Sequence, residues 1–422
     1  MMKNRLAKRV IWMALTLLFL ASDSYAQNLN FNGYIRSYIS ALANEQMDYA
    51  IIQNTLDLRM SQGTGKVAFL ANPYIYQYPN QELDLGLREA YLDVFFANMD
   101  MRLGKQQIIW GKADGVFITD IISPKDLSEF LLREFEEIRV GVTALKADYY
   151  LADNTLEFVW IPTFTPTKMP DSASIWSRLP EFSLPVTFDY SQTEVPGRLE
   201  NSEVFLKFSG MSSLLDYELI AGQMWDDDPT MHVTPDMVTG NPLPVGLTLT
   251  PQHHQLSLIG GSFSTDLAGY VIRGESAYYS GKQFVSNNAL GLPTDVLGKN
   301  YLHYLVGTDF SIGSTRLSAQ FIQMLMLDYE ESILQDEQDN MMTFLANRTF
   351  LQETLTAQLF AYVGMNNQDA LIRPTLAYDL TDGFEVLAGA NIFTASDEDS
   401  ETGAFGYYDN NDMIYLKVKY SF

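Results

Sequence analysis

The sequence contains no cysteine, and its only long apolar run lies within the first 26 residues. Without cysteine the chain can form no disulfide, no cysteine-linked lipid anchor, no zinc–thiolate centre and no thiol nucleophile. Beyond residue 26 no segment approaches the ~20 consecutive apolar residues of a transmembrane helix. The mean hydropathy of −0.06 is typical of soluble proteins, but also of membrane barrels, whose strands alternate apolar and polar residues.

Basic residues and histidine are scarce as well. The chain has 27 Lys and Arg against 52 Asp and Glu, a net charge of −25, and four histidines. Removing the first 26 residues, which carry four basic residues and one acid, lowers the charge to −28. This balance excludes nucleic acid as a partner, because phosphate binding needs a basic surface.

No spacing of these residues predicts chemistry. No Ser–His or Asp–His motif is identifiable, so we predict that the protein is not an enzyme. An outer-membrane barrel protease or acyl hydrolase, or a structural or adhesin barrel, is the alternative. The acidic runs do not match a calcium loop, and no cofactor and no metal are predicted.

The first residues have the pattern of a secretory signal peptide. Four basic residues precede the apolar run 10–21, and Ser24 and Ala26 frame a small-x-small cleavage site. We therefore predict a signal peptide at 1–26 and a single barrel domain at 27–422.

After residue 26 the sequence becomes a series of alternating segments separated by turn signals, and helical periodicity is scarce. In 369–380, for example, Ile372, Leu376 and Tyr378 alternate with polar residues. Strands are predicted at 29–41, 49–62, 65–78, 82–97, 99–111, 139–151, 154–164, 199–210, 213–226, 252–265, 268–281, 301–312, 314–328, 341–352, 353–365, 369–380, 383–395 and 412–422.

Short connections alternate with long ones such as 111–139, 165–198 and 227–251. This alternation is typical of an outer-membrane barrel with periplasmic turns and extracellular loops. We predict an all-β, transmembrane, antiparallel up-and-down barrel of eighteen strands, with sixteen as the alternative, in the outer membrane of a Gram-negative bacterium. Its partners would be the lipid bilayer and lipopolysaccharide, the latter through divalent cations shared with acidic runs such as 226–228 and 397–401; solvated loop surface is the other interpretation of these runs.

The last strand ends in Phe422, and Ile414, Leu416, Val418 and Tyr420 share its apolar face. This resembles the C-terminal signature of outer-membrane barrels, which the barrel-assembly machinery reads. The blocks 103–112 (LGKQQIIWGK), 123–126 (SPKD), 273–279 (RGESAYY) and 376–383 (LAYDLTDG) resemble a porin-like family of uncharacterised function, similar in pattern to alginate-export barrels. The resemblance implies a pore or exporter; it implies no catalytic residue and no particular substrate.

Charged residues in the strands are predicted to face the bore, because a charge facing lipid at mid-bilayer costs ~2–4 kcal/mol. Near Arg88 and Glu89 the apolar face switches, which predicts a β-bulge. These charges form either an ion-pair lattice that stiffens the wall or a polar path for solute. The predicted pore-lining residues are Arg36, Arg59, Arg88, Glu89, Arg102, Glu157, Lys207, Arg273, Glu275, Arg373 and Lys417.

The connection 111–139 carries the clearest helix signal. Ser123 can cap a helix, Pro124 suits its first position, and Asp126 stands where a capping-box acid belongs. Apolar residues recur at helical spacing over 124–138. We expect this loop to fold into the bore, with the alternative that its helix lies on the outer rim. The predicted constriction consists of Lys125, Asp126, Glu129, Arg133 and Glu134, which would face Arg36, Arg59, Arg88 and Arg102. The predicted function is a porin or substrate-selective channel for small or extended solutes.

Overall fold

The structure is a computed structural model that describes residues 29–178, 184–240, 243–289, 291–396 and 403–422. The predicted signal peptide, 1–26, and the acidic run 397–401 lie outside these residues. In the part of the chain that is described, no helix is long and apolar enough to span a membrane.

Eighteen antiparallel strands form one closed barrel. Each strand pairs with its neighbours in sequence, and β1 closes the barrel by pairing with β18. The strands are β1 Asn30–Leu42, β2 Tyr49–Thr64, β3 Val67–Gln77, β4 Asp84–Phe95, β5 Met99–Gln106, β6 Val142–Leu151, β7 Asn154–Ile161, β8 Glu203–Met211, β9 Asp216–Trp225, β10 Gln255–Leu267, β11 Tyr270–Ser286, β12 Asp295–Ile312, β13 Thr315–Met326, β14 Gln338–Phe350, β15 Leu355–Gly364, β16 Asp369–Thr381, β17 Phe384–Thr394 and β18 Met413–Ser421.

The predicted strand count and order are confirmed. The predicted bulge is confirmed too, because Asn72 pairs with Glu89 and Pro73 with Leu87, which leaves Arg88 without an opposite residue. Three predicted boundaries, at 111, 281 and 301, are wrong by five or six residues. The last two are wrong because β11 extends to Ser286 and β12 begins at Asp295. The strand 99–111 ends at Gln106, because Trp110 turns into the bore, where its indole Nε1 donates to Glu157 Oε1 at 2.7 Å.

The two faces of the wall differ as the pleat requires. On β1, Ile35 is 53% exposed whereas Arg36 is 1% exposed. Successive side chains of a strand point to opposite faces, so the apolar set covers the outside and the charged set lies inside.

The two ends of the barrel also differ. At the short-turn end, tight turns such as 65–66 and 313–314 join the strands, and both the first and the last strand have their free ends there. The other end, the long-loop end, carries extra structure. It holds a small sheet of Val186–Phe188, Thr230–Asp236 and Gly246–Gln252, a strand Ser128–Leu131, the helix α1 Phe135–Ile138, and 3-10 turns at Leu199–Asn201 and Gly406–Asn411.

Candidate functional site

The third long connection, residues 107–141 and here called the third loop, is held at its neck by hydrogen bonds. Gln107 N donates to Glu89 Oε1 of β4 at 3.0 Å. The Ser123 hydroxyl accepts from Ile108 N at 2.9 Å and donates to Ile108 O at 3.2 Å. The start of the loop is therefore fixed beside β4, and Ser123 in the middle of the loop is bonded to that start.

The predicted helix over 124–138 is wrong except for its last turn, α1. The Ser123 hydroxyl is bonded to the backbone of Ile108 and does not cap a helix. Asp126 N donates to Ile138 O at 2.6 Å, which holds the segment extended. The predicted apolar stripe also separates, since Phe130 packs among aromatic rings whereas Phe135 is 60% exposed. Tertiary contacts outweigh local helix propensity, which is a weak preference.

The first half of the third loop packs against an apolar section of the inner wall. Trp110 meets Phe205 of β8 edge-to-face, with ring centroids 6.1 Å apart. Ile118 is fully buried, and its carbonyl accepts from the Tyr279 hydroxyl at 2.8 Å. The wall side chains of this cluster are Val142, Ala144, Val159, Ile161, Phe205, Ile220, Met224, Leu256, Leu258, Ala277, Tyr279, Phe284, Tyr301, Leu305, Ile322 and Met326.

Two predicted pore-lining residues of β11 hold the first half through its backbone. Glu275 accepts from Lys112 N at 2.5 Å and from the Thr119 hydroxyl at 2.8 Å. Arg273 donates to Lys112 O at 2.9 Å and pairs with Asp114 and Asp309. Both residues thus bind the loop itself.

Gly115 brings the loop close to β15. The Tyr362 hydroxyl donates to Gly115 O at 2.9 Å, and a Cβ at this position would lie 2.5 Å from that hydroxyl. Gly115 also has φ of +75°, a conformation that favours glycine.

The second half meets the opposite wall through charges. Glu137 of α1 accepts from Arg36 at 2.9 and 3.1 Å and from Arg88 at 3.2 Å. Arg88 in turn donates to Asp57 at 2.7 Å. The Tyr34 hydroxyl also donates to Glu137 at 2.9 Å. Both guanidiniums are buried, so their charges depend on these carboxylates.

Glu134 extends this ionic contact to β18. It lies 2.9 Å from Arg36 and 3.0 Å from Lys417. Burial acts to raise the pKa of Glu134, but Lys417 and Arg36 outweigh it and lower the pKa to about 2. Nearby, Arg373 of β16 donates to Leu131 O at 3.0 Å. The second half is therefore tied to β1, β4, β16 and β18.

Three predicted constriction residues pair mainly with one another. Arg133 lies 3.0 Å from Glu129 and 3.4 Å from Asp126, and Asp126 is 3.2 Å from Lys168. Burial raises the pKa of Glu129, although Arg133 opposes the shift. Lys125 instead lies over the Phe117 ring, at 4.8 Å.

The predicted set therefore needs a correction. We expected the five constriction residues to face four arginines of the wall. Only Glu134 contacts one of these arginines, Arg36. The other four constriction residues contact partners within the loops. The expectation failed because it assumed that one helical face carries all five side chains.

The remaining predicted pore-lining residues differ in their relation to the third loop. Glu157 and Lys207 contact Trp110 of the loop directly, whereas Arg102 and Arg59 have other surroundings. Arg102 pairs with Asp93 at 2.7 Å and stacks on a tyrosine ring. Lys207 lies 3.2 Å from Glu157, the carboxylate that Trp110 contacts. Arg59 is exposed on the inner-face register of β2, toward the short-turn end.

Sequence reasoning missed three acids that hold the third loop, because Glu137, Asp114 and Asp120 are not among the predicted site residues. Asp120 pairs with Arg139 at 2.5 Å inside the loop. The sequence did contain a signal for Glu137, because Arg36 and Arg88, which were predicted to face the bore, need carboxylate partners when they are buried.

A cleft of about 690 Å³ opens beside Arg133 at the long-loop end. Its lining mixes charge with aromatic rings, namely Glu129, Arg133, Lys168, Asp171, Tyr78 and Trp176. Trp176 comes from the connection between β7 and β8 and stacks on Phe130 of the third loop, with ring planes 12° apart.

A closed barrel of eighteen antiparallel strands with a polar inner face is the fold of bacterial outer-membrane porins. A family profile described as "protein of unknown function (DUF1302)" matches residues 72–300, more than half of the 422 residues. The chain belongs to that family. No protein of curated function matches the sequence.

Similar solved structures include three barrels of Pseudomonas aeruginosa. OccK8 (OprE) is 10% identical over 95% of this chain and 99% of its own, with a TM-score of 0.55. OccK2 (OpdF) in complex with glucuronate is 11% identical over 94% and 99%, also at 0.55. OccK1 (OpdK) is 9% identical over 93% and 98%, at 0.54. At these identities the likeness establishes the fold alone.

Proposed function

We propose that the protein is an outer-membrane channel for small or extended solutes, in which the third loop narrows the bore. The observation that carries the proposal is the double attachment of this loop. Its first half binds Glu275 and Arg273 of β11, and its second half binds Arg36 of β1. A loop held by strands so far apart in the barrel order crosses the bore.

The pore-lining and constriction residues have distinct roles in this proposal. Arg36, Arg88 and Lys417 hold the loop, whereas Arg133 and Glu129 present charge to the cleft at the long-loop end. Solute would reach the bore through that cleft. Its lining has both signs of charge, which favours small polar solutes without strong selection by charge.

The location and partners follow from the same architecture. We propose that the apolar outer face contacts the outer-membrane bilayer, with the long loops next to lipopolysaccharide. The last strand would be recognised by the barrel-assembly machinery. Phe422 closes the barrel here, because its N–H and carbonyl both bond with Gly33 of β1 at 3.0 Å.

A barrel hydrolase is the rival class, and it would need a nucleophile next to a base. His232 at the long-loop end contacts His254 instead of a serine. The wall acids Glu157 and Glu275 are engaged with the third loop. These contacts favour the channel.

The test is to replace residues 123–137 by a short Gly/Ser linker and to record single channels in planar bilayers. The expected result is a clear rise in conductance and altered ion selectivity in a barrel that still inserts. A matched control replaces the exposed segment 237–240 by Gly/Ser, which should leave conductance unchanged. Unchanged conductance in a correctly inserted 123–137 variant would contradict the proposal.

A further inference from the structure

Two histidines face each other at the long-loop end. His232 lies in the loop strand Thr230–Asp236, and His254 immediately precedes β10. Their Nε2 atoms are 3.0 Å apart and their ring centroids 5.2 Å apart. The pair links the small loop sheet to the barrel wall.

Neighbouring contacts hold His254 in place. Asp226 N donates to His254 O at 2.7 Å, and the His253 ring nitrogen Nδ1 lies 2.7 Å from Asp226 O. The Asp226 carboxylate is buried and pairs with Lys282 of β11 at 2.6 Å. The His253 ring packs on Phe164, with centroids 4.8 Å apart. His254 is thus positioned by the fold before any ligand binds.

Neutral imidazole is the form of histidine that binds metals. Without a metal, one Nε2–H donates to the other Nε2. With a metal, both protons reside on Nδ1, so no net proton is released.

The ligand type and its spacing indicate the kind of ion. Two nitrogens 3.0 Å apart can both reach an ion that lies ~2.0–2.1 Å from each. Imidazole suits Zn²⁺, Cu²⁺ and Ni²⁺, and a given nitrogen site binds Cu²⁺ most tightly of the divalent first-row ions. We propose that His232 and His254 form a binding site for a divalent transition-metal ion, with Cu²⁺ bound most tightly.

The site would keep open coordination positions. Among the described residues no third His, Cys, Asp or Glu joins the pair to make a three-ligand group. Water or a donor atom of an external ligand would fill the other positions. A bound ion would also join the strand of His232 to the base of β10, and so fasten the loop sheet to the wall.

The experiment uses the full-length protein in detergent, without a polyhistidine tag, titrated with CuCl₂ in the presence of glycine as a competing chelator. We expect one equivalent to bind, with a tetragonal electron paramagnetic resonance spectrum that shows splitting from two nitrogens. His232→Ala and His254→Ala should each weaken binding at least tenfold and leave one nitrogen. His303→Gln on β12 is the control and should bind as the wild type does.

Limited proteolysis gives a second readout that does not depend on affinity. Copper should slow cleavage between residues 237 and 245 in the wild type and in His303→Gln, but not in the two alanine variants. Heat-dependent gel mobility would verify that every variant keeps its barrel. A wild type without saturable Cu²⁺ binding, a spectrum with fewer than two nitrogens, or full binding by either alanine variant would overturn the proposal.

Discussion

The two halves of the third loop are held inside the barrel by different forces. The first half buries Trp110 and Ile118 against apolar side chains of β7 to β13. The second half places Glu134 and Glu137 against Arg36, Arg88 and Lys417. Apolar burial is strong but non-directional, whereas a buried ion pair depends on matched partners and geometry.

Apolar burial and ion pairing have different roles in holding the third loop. Apolar packing holds the first half against the inner wall, and each large apolar side chain that it buries stabilises the fold by ~1.5–3 kcal/mol. The ion pairs fix the register of the loop on the other side. A polar path for solute would run along the charged half, since apolar side chains fill the other.

The largest effect is expected from the apolar half. Trp110→Ala should lower the free energy of unfolding by about 3–5 kcal/mol, because it leaves a cavity and removes the donor to Glu157. Urea unfolding in detergent measures the change in free energy. Unfolding is followed by the circular dichroism of the backbone, because the variant lacks one tryptophan. Phe135→Ala in the same loop, where the ring is 60% exposed, should cost less than about 1 kcal/mol. Equal losses in the two variants would erase the distinction between buried and exposed loop residues.

A smaller effect is expected from the charged half. Glu137→Gln keeps the shape of the side chain but removes one carboxylate from Arg36 and from Arg88. Each arginine retains another partner, Glu134 or Asp57, so the loss should be about 1–3 kcal/mol. Conductance should rise and selectivity should move toward anions. Glu136→Gln, at the exposed neighbouring position, should change neither quantity.

The smallest effect concerns pH. Although burial opposes the shift, Lys417 and Arg36 hold the pKa of Glu134 at about 2, and Arg36 also lowers the pKa of Glu137. Groups with depressed pKa values stabilise the folded state above their unfolded pKa, near 4.5, and lose that contribution as the pH falls through the folded value. In the folded channel Glu134 stays ionised well below pH 4.5, so single-channel conductance should stay constant from pH 8 to about pH 4.5 and rise only as the pH approaches 2. A transition between pH 5 and 7 that Glu134→Gln leaves intact would point to another group.

The barrel was predictable because its signal is repeated and local. Period-two alternation and turn residues recur in all eighteen strands, so an error of a few residues in one strand leaves the others unaffected. The bulge at Arg88 was predictable for the same reason, since it reverses an alternation that neighbouring residues define.

The third loop was only partly predictable because its conformation depends on distant residues. Ser123 and Pro124 resemble a helix start, yet the partners of this segment are Ile108 and Val140. Glu137 contacts Arg36, which is 101 positions away. No local pattern encodes such a pairing, although the charges that need partners are visible in the sequence.

The central claim is that a loop residue and a wall residue meet inside the bore, and a double-mutant cycle on Arg36 and Glu137 tests it most directly. Arg36→Gln, Glu137→Gln and the double variant would be compared by urea unfolding in detergent. The predicted coupling is about 1–3 kcal/mol for a buried contact. The same cycle on Arg36 and the exposed Glu136 should give a coupling below about 0.5 kcal/mol. A coupling for Arg36 and Glu137 no larger than this control would contradict the account.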